Sequence, residues 1–333
     1  MVVNNGYHGH TLAVLDVSSC KFSKSAEFTL RKPAPEAKYA TPGPHIWSVS
    51  CPDVYRGEFR DASTGGALYA QEVQAACEHY KEKGEKVCAF IAESVVSVGG
   101  AILPPRGYLA ACAKAVREAG GLYIADEVQT GFGRLGTCYW GFQYHGVHDE
   151  VVPDVVTVGK AFGNGTPIAA VVTSRKIVAE FENQHVEYFN TFGGNPVSTT
   201  AGLAVMNVIR DEELQENARV VGNYIIAELL ELQKEAPLIG DVRGSGFSIG
   251  VEFVRDPTTL EPATEETSWL CSHMKEKYSI LTSIDGGCQN ILNVKPPMVF
   301  SQSDADRFLS CLRKSLTTDM AKVDLSSVSA TPT

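Results

Sequence analysis

The chain has 333 residues, 44% of them hydrophobic and 20% charged, which is typical of a globular protein with room for two domains. Its formal net charge of −10 argues against binding to nucleic acid or to an acidic membrane. The sequence has no apolar run of membrane-spanning length, no signal peptide and no Arg/Ser-rich transit segment. Its nine cysteines form no C-x-x-C pair, which argues against a zinc site or a disulfide framework and favours a reducing compartment.

The first part of the chain predicts a strand end, a long connection and then a helix and a strand. Met1–Val3 is apolar and leads into a turn at Tyr7-His8-Gly9-His10. The two histidines have no acid or cysteine at metal-ligand spacing, so we predict hydrogen-bonded turn residues and no metal site. Residues 16–66 predict a connection with little regular structure. A helix is predicted at Ala67–Lys83, and a buried strand at Val87–Ala92 that ends on Glu93.

The centre of the chain predicts parallel strands that deliver ionisable residues to one edge. An amphipathic helix at Gly107–Ala119 precedes a buried strand at Leu122–Ala125, which ends on Asp126 and Glu127. A second buried strand, Val155–Val158, ends on Gly159 and Lys160. Strands that alternate with helices favour parallel pairing with right-handed crossovers, and ligands bind at the carboxyl edge of such sheets. We therefore predict an α/β fold with a binding site at this edge.

An acid and a lysine at one edge suit a particular cofactor chemistry. A lysine amine can form a Schiff base with an aldehyde, and a carboxylate can keep a pyridine nitrogen protonated so that the ring accepts electrons. These are the protein groups that a pyridoxal phosphate (PLP) site requires. The plainer alternative is that Asp126 caps a turn and Lys160 is solvated, and spacing alone favours that alternative.

The segment Gly131-Phe132-Gly133-Arg134-Leu135-Gly136 matches the G-x-G-x-x-G pattern of dinucleotide-binding loops. Such a loop opens directly into a helix, whereas here an aromatic stretch broken by glycine follows. Residues 126–129 also separate the strand from the loop. We therefore reject the dinucleotide interpretation.

The last third predicts one more strand of the first sheet and then a smaller α+β domain. The predicted elements are a strand at Ile168–Thr173, helices at Pro196–Arg210 and Glu212–Lys234, glycine-rich strands within Val242–Val254, a loop at Pro257–Pro262, a helix at Glu265–Lys277, a strand at Ile291–Val294 and a helix at Asp304–Met320. We predict a large domain at 1–210, a small domain at 211–323 and a disordered Ser/Thr-rich tail at 324–333.

Two motifs carry a close resemblance to a known family. Ile-Ala-Asp-Glu-Val-Gln-Thr-Gly-Phe-Gly-Arg (124–134) and Gly-Lys-Ala-Phe-Gly-Asn-Gly (159–165) closely resemble the class-III PLP-dependent aminotransferases of fold type I. The resemblance extends from Tyr7 to about Met320. Within the family, residues 52–57, 188–194 and 295–298 are most similar to the branch of ethanolamine-phosphate and phosphohydroxylysine phospho-lyases, also described as alanine–glyoxylate aminotransferase 2-like. The implied fold is a mostly parallel sheet flanked by helices, with a smaller C-terminal α+β domain.

The resemblance implies a set of site residues. It assigns the internal lysine and general base to Lys160, the pyridinium partner to Asp126, and a gate over the cofactor to Glu93, although Glu93 could instead be a loop acid bound to nearby backbone. It implies that Thr191 reaches the cofactor of a second subunit, and therefore a homodimer. The implied cofactor contacts are Tyr7 (stacked on the ring), His8, Asp126, Val128 (beneath the ring), Gln129 (at the ring hydroxyl), Lys160 and Thr191.

The implied reaction has alternatives. A phospho-lyase would act on a phosphorylated amine and give an aldehyde, ammonia and phosphate, whereas a transaminase would pass the amino group to a 2-oxo acid. Family transaminases of α-amino acids usually carry an arginine where this sequence has Asn293, and the phospho-lyases carry a lysine there. The phospho-lyases also tend to have histidine where this sequence has Thr166. Both departures blur this choice. We predict a PLP-dependent phospho-lyase, with a class-III transaminase as the alternative.

One family feature does not occur in the sequence. Family members carry a Ser-Gly-Ser/Thr-Glu-Ala-Asn loop that binds the cofactor phosphate at a helix N-terminus, and this chain has none. The sequence therefore predicts a fragment, short isoform or truncated product, with a non-catalytic relative as a third alternative. The expected compartment is the mitochondrial matrix or the cytoplasm.

Overall fold

The chain is described by a computed structural model at residues 1–21, 45–144, 151–185 and 187–322. The predicted tail at 324–333 and the middle of the predicted connection at 16–66 lie outside these residues. Two β-sheets organise the described chain, and each has its own hydrophobic core. No helix of the described ranges is long and apolar enough to cross a membrane.

The first sheet has six strands in the order β2-β1-β3-β4-β5-β6, and all neighbours are parallel except β5 and β6. This arrangement confirms the predicted mostly parallel sheet with flanking helices. The elements of this part are β1 (Val2–Val3), α1 (Leu12–Leu15), β2 (Ser48–Val49), α2 (Gly65–Glu82), β3 (Ala89–Glu93), α3 (Tyr108–Glu118), β4 (Leu122–Asp126), β5 (Val155–Val158), β6 (Ala170–Thr173), α4 (Arg175–Asn183) and α5 (Pro196–Asp211).

The register of this sheet places the acids side by side. Glu93 pairs with Asp126 at the carboxyl ends of β3 and β4, and Asp126 pairs with Thr157 near the end of β5. Helices α2 and α3 cover one face, where Tyr69, Tyr108 and Leu109 are almost fully buried. Burial of this kind contributes about 1.5–3 kcal/mol for each large apolar side chain. The packed core therefore holds the strand ends, and the acids they carry, in fixed positions.

The second sheet is antiparallel, in the order β10-β11-β8-β7, with β9 paired to β8. Helix α6 packs against it, and Ile225, Phe247, Phe253 and Leu270 are fully buried in the shared core. The elements are α6 (Leu214–Glu235), β7 (Ile239–Ser245), β8 (Ser248–Asp256), β9 (Glu261–Pro262), α7 (Thr264–Tyr278), β10 (Ser283–Asp285), β11 (Ile291–Val294) and α8 (Gln302–Lys314). The predicted domain boundaries at 210 and 323 remain predictions.

The last helix differs from its prediction at Asp304–Met320. Helix α8 begins at a capping box in which the amide of Asp304 donates to Ser301 Oγ and the amide of Ser301 donates to Asp304 Oδ2. After Lys314 the backbone continues as a π-helical turn, Ser315–Asp319. There Asp319 accepts hydrogen bonds from three side chains of α7, namely His273, Lys277 and Tyr278. These bonds hold the turn against that helix. The hydrophobic periodicity of the sequence cannot predict these long-range hydrogen bonds.

The glycines of the G-x-G-x-x-G segment allow close packing against α6. Gly133 and Gly136 have φ values of 80° and 74°, a region that favours glycine. A Cβ atom on Gly136 would lie 2.5 Å from the Cα atom of Arg219, and one on Gly133 would lie 2.8 Å from Gln215 Cβ. Turns follow this segment in place of a helix. Its glycines are therefore explained by helix packing, in agreement with the rejection of a dinucleotide loop.

A buried charge cluster joins the two sheets. Glu252 on β8 is fully buried and forms an ion pair with Arg56, which comes from the loop before α2. Arg243 on β7 lies 2.7 Å from Glu252 Oε2 in ion-pair contact, and its Nε donates to the carbonyl of Gly100. These interactions tie the loops of the first sheet to the second sheet beside the carboxyl edge.

Candidate active site

A buried acid and histidine form the floor of the candidate site. Asp126 ends β4 and is 5% exposed, while His8 lies in the turn after β1. His8 Nδ1 is 2.7 Å from Asp126 Oδ2, and the His8 side chain is 1% exposed. The amide of Val128 donates to Asp126 Oδ1 at 3.1 Å. Both carboxylate oxygens of Asp126 thus have a partner, so its orientation is fixed.

His8 has a second ring nitrogen, and it is isolated. The Nε2 atom is buried and has no hydrogen-bond partner in the described part of the chain. Because Nδ1 is engaged by a carboxylate, the natural arrangement is Nδ1–H donating to Asp126. His8 thus lies in the turn after β1 and orients the Asp126 carboxylate through this hydrogen bond. The sequence predicted a hydrogen-bonded turn residue at this position.

Glu93 is a buried acid held by backbone. It is 3% exposed and accepts hydrogen bonds from the amide of Tyr7 at 2.9 Å and the amide of Ser97 at 3.1 Å. Burial raises the pKa of Glu93 to about 7, and the negative charge of Asp126 adds to the rise, whereas His8 and the two amides oppose it. The backbone hydrogen bonds agree with the simpler interpretation of Glu93, and its role as a gate stays a prediction. It is bound by backbone, and it is poised to exchange a proton near neutral pH.

Glu127, the second acid of the pair, faces a different environment. Its carboxylate is 1% exposed and accepts four hydrogen bonds, from the hydroxyls of Ser94 and Thr130 and the amides of Gly141 and Phe142. Burial raises the pKa of Glu127, and the four donors lower it. This acid fixes the segment after β4, so the two neighbouring carboxylates have separate roles.

Lys160 lies at the opposite side of the site. It follows β5 and has a φ of 43°, which is uncommon for a residue with a side chain and recurs at functional sites. Its Nζ atom is 5.4 Å from the centre of the Tyr7 ring, within cation–π range. Tyr7 and His8 are thus consecutive residues that contact Lys160 and Asp126, respectively. The turn after β1 therefore links the lysine to the acid, as their arrival at one edge predicted.

The remaining predicted residues differ in how close they lie. Val128 is half-buried. Its Cγ2 atom lies 3.8 Å from the position that a Cβ atom would take on Gly159, the residue before Lys160, so Val128 is near the lysine. Gln129 follows it and is half-buried. Thr191 lies in an exposed loop and forms no hydrogen bond with the other predicted site residues in the described ranges. No cluster of three or more potential metal ligands occurs among the residues that the structure describes.

One neighbour of the site was not predicted. The pKa of Lys295 is lowered by burial and is also influenced by the charges of Asp285, Glu93, Arg134 and Lys160, so this lysine lies in the same electrostatic environment as the candidate site. The signal in the sequence is the Lys295-Pro296-Pro297-Met298 segment, which carries part of the family resemblance. The position of Lys295 becomes visible only once β11 is placed against β8 and β10.

Comparison with known proteins gives a consistent result. The family described as "Aminotransferase class-III" matches residues 1–316. The chain is 43% identical to "Alanine--glyoxylate aminotransferase 2-like" of Drosophila melanogaster, over 99% of this chain and 64% of that protein. It is 40% identical to "Alanine--glyoxylate aminotransferase 2 homolog 2, mitochondrial" of Arabidopsis thaliana, over 95% of this chain and 61% of that protein. The chain therefore spans less than two thirds of the length of these relatives.

A solved structure agrees with these relatives. An Arthrobacter phospholyase in complex with phosphoethanolamine superposes with a TM-score of 0.82 and is 34% identical, over 95% of this chain and 70% of that one. The chain therefore belongs to the class-III aminotransferase family, whose members are enzymes that use PLP.

Proposed function

We propose that this chain carries the active site of a PLP-dependent phospho-lyase, which releases phosphate from a phosphorylated amine such as ethanolamine phosphate or phosphohydroxylysine. The products would be an aldehyde, ammonia and inorganic phosphate. The proposal depends most on one observation, the joining of Lys160 and Asp126 through the consecutive residues Tyr7 and His8. The likeness to a phospholyase crystallised with phosphoethanolamine supports the subtype.

The residues present fit PLP. A fixed, buried carboxylate suits a protonated pyridine nitrogen, and Asp126 is such a group because His8 and the amide of Val128 hold both its oxygens. A lysine without a hydrogen-bonded acid suits an aldehyde, and Lys160 has none within ion-pair distance in the described ranges. Tyr7 offers an aromatic face between these groups. Asp126, Lys160, Tyr7 and Val128 would hold the cofactor.

The cofactor, when bound, supplies an electron sink that stabilises negative charge on the carbon next to the substrate nitrogen. Lys160 is the general base that removes the proton from that carbon. Asp126, with His8 behind it, holds the positive charge that makes the electron sink effective. Glu93 can hold or release a proton because its pKa of about 7 is close to neutral.

The choice between lyase and transaminase depends on what the substrate carries next to that carbon. With phosphate on the adjacent carbon, the C–O bond breaks and phosphate leaves with the bonding electrons. A transaminase of α-amino acids instead needs a cation to bind the carboxylate. Asn293 is neutral and buried, and its amide donates to Asp285, so this position offers no such clamp. The transaminase remains the second candidate because the Arabidopsis relative bears that name.

The discriminating experiment measures two products from one preparation. Phosphate release from phosphoethanolamine and amino transfer from alanine to glyoxylate are followed in parallel, with PLP present. Lys160→Ala should abolish whichever activity is found, because the general base is lost, with a reduction of roughly 10²–10⁴-fold or more. Phosphate release without amino transfer is the expected result. Amino transfer without phosphate release would overturn the lyase assignment in favour of the transaminase.

We further propose that the enzyme is a homodimer with sites at the interface, in the mitochondrial matrix or the cytoplasm. The loop that carries Thr191 presents Tyr188, Phe189 and Phe192, each at least 75% exposed. Aromatic side chains exposed together in this way are typical of protein interfaces. Sedimentation equilibrium tests the dimer, and a monomer that still binds PLP tightly would contradict it.

A further inference from the structure

A cavity of about 520 Å³ lies in the second half of the chain, beside the end of β11 and against α8. Phe300 and Phe308 form apolar parts of its wall, and Asn293, Lys295 and Arg307 form polar parts. A volume of this size is within the range of small-molecule sites, which combine apolar walls with a few polar groups. The family resemblance places a substrate-carboxylate clamp only at the position of Asn293, and it assigns no ligand to Lys295.

Asn293 places an unsatisfied polar atom at this cavity. The residue is 7% exposed, and its Nδ2 atom donates to the carboxylate of Asp285. Its Oδ1 atom is buried and has no hydrogen-bond partner in the described part of the chain. An unpaired buried acceptor is destabilising, and native structures seldom contain one without a ligand or water to bind. The amide oxygen is therefore positioned for a ligand that donates a hydrogen bond.

Lys295 adds a positive charge without a direct partner. It follows Asn293 by two residues, so in extended chain the two side chains lie on the same side. Its Nζ atom forms neither a hydrogen bond nor an ion pair with the residues that the structure describes. Burial lowers the pKa of this lysine, as do the nearby positive charges of Arg134 and Lys160, while Asp285 and Glu93 raise it. A partly buried lysine with no carboxylate within ion-pair distance among the described residues is a favourable site for an anion.

Two other cations near the cavity donate hydrogen bonds to backbone carbonyl oxygens. Arg134 Nη1 donates to the carbonyl oxygens of Phe247 and Pro296, at 3.2 Å and 3.0 Å. Arg307 Nη2 donates to the carbonyl oxygen of Tyr278 at 2.8 Å. Arg134 thereby fixes the backbone next to Lys295, and within the described ranges the three donors of the lysine ammonium remain available to a ligand.

We propose that Lys295 binds the phosphate group of the substrate, and that Asn293 accepts a hydrogen bond from the same ligand. The assignment rests on the proposed function for the identity of the ligand. A phosphate monoester fits because it carries up to two negative charges and, when singly protonated, one hydroxyl donor for Asn293 Oδ1. Lys295 then orients the leaving group relative to Lys160, and its charge stabilises the phosphate as it departs.

The first test uses inorganic phosphate as the probe and needs no turnover. Lysines of the full chain are labelled by reductive ¹³C-methylation, and the Lys295 resonance is identified by its loss in Lys295→Gln, or in Lys295→Arg if that variant does not fold. Phosphate should shift this resonance saturably, whereas the resonance of the exposed Lys275 should not respond. Acetate at equal ionic strength should have little effect. A Lys295 resonance that responds no more than that of Lys275, or responds equally to acetate, would overturn the assignment.

The second test separates binding from chemistry. Lys295→Gln should raise KM for phosphoethanolamine at least tenfold, and Lys295→Arg should recover part of that loss because it restores the charge. An unchanged KM in Lys295→Gln would refute the role of Lys295 even if phosphate release is observed. If phosphate shifts the resonance but no substrate releases phosphate, the anion site stands and the phospho-lyase proposal fails. The two proposals are thus tested independently.

Discussion

His8 and Asp126 are 118 residues apart in sequence, and their side chains meet at 2.7 Å in a place where the histidine is 1% exposed. The contact closes the turn after β1 onto the end of β4. Because the neighbouring residue Tyr7 contacts Lys160 as well, one turn positions the acid and the lysine together.

The first prediction concerns this contact. His8→Ala should lower the free energy of unfolding by about 1–3 kcal/mol, because the buried carboxylate of Asp126 loses a partner. It should also weaken PLP binding. Urea denaturation measures the first effect, and the exposed His45→Ala variant is the control, with an expected change within about 0.5 kcal/mol. Equal stability of the His8 and His45 variants would contradict the structural role of His8.

Glu93 predicts a pH dependence of stability. Burial raises its pKa from 4.5 to about 7, so the folded chain retains a proton that the unfolded chain releases. The contribution of Glu93 to the free energy of unfolding is therefore fully present below about pH 4.5 and is lost as the pH rises through about 7. The loss is at most about 3 kcal/mol. Glu93→Gln mimics the protonated acid and should remove this fall, while the exposed Glu118→Gln should retain it. Urea denaturation of the cofactor-free chain between pH 5 and 8 tests the difference, and parallel pH profiles for all three proteins would refute it.

The buried cluster around Glu252 predicts a large loss of stability. Glu252→Gln leaves Arg56 and Arg243 without their shared, fully buried counter-ion, and such a loss typically costs about 3–5 kcal/mol. Arg255 lies on the same strand and pairs with carboxylates that are more exposed, including Glu261. Glu261→Gln is therefore a matched control, with an expected cost of about 1 kcal/mol or less. Thermal unfolding of both variants measures these losses of stability. Similar losses in Glu252→Gln and Glu261→Gln would contradict the role of the cluster.

Substitution of Gly136 should destabilise the fold through a steric clash, and this effect can be separated from the cost of the backbone conformation. Gly136→Ala places a methyl group 2.5 Å from Arg219 Cα at a positive φ of 74°. Gly120 has a φ of 84°, but a Cβ atom added there would have nothing within 4 Å, so Gly120→Ala measures the backbone cost alone, about 1–2 kcal/mol. The Gly136 variant should lose a further 1–3 kcal/mol or so through overpacking against α6. Chemical denaturation of both variants tests this, and equal losses would show that α6 does not pack tightly there.

Much of the fold could be predicted from local pattern, and the exceptions have physical causes. Buried strands such as Leu122–Asp126 carry apolar runs bounded by glycine, and α5 begins at an Asn195 cap followed by Pro196, so both were recognisable. Strand β10 has three residues and takes its identity from pairing with β11, which no local pattern contains. The prediction missed helix α4, although Ser174 caps it and Ile177, Val178 and Phe181 recur at helical spacing.

The candidate site divides in the same way. Asp126 and Lys160 could be predicted because each lies at the carboxyl end of a strand, and parallel strands share an edge. The separate role of Glu127 could not, since its four donors come from three different segments. The anion-binding role that we propose for Lys295 was equally hidden, because it depends on Asn293 and on a cavity that forms only when α8 packs beside β11.

Binding of PLP by the purified chain tests most directly whether Lys160 and Asp126 form a cofactor site. The visible absorption spectrum is recorded on addition of PLP to the wild-type chain and to Lys160→Ala. We expect a protein-bound absorption band in the wild type that the variant lacks, because the lysine amine holds the cofactor aldehyde. Absence of the band in the wild type, or its persistence in Lys160→Ala, would contradict the claim that Lys160 and Asp126 form a working PLP site in this chain.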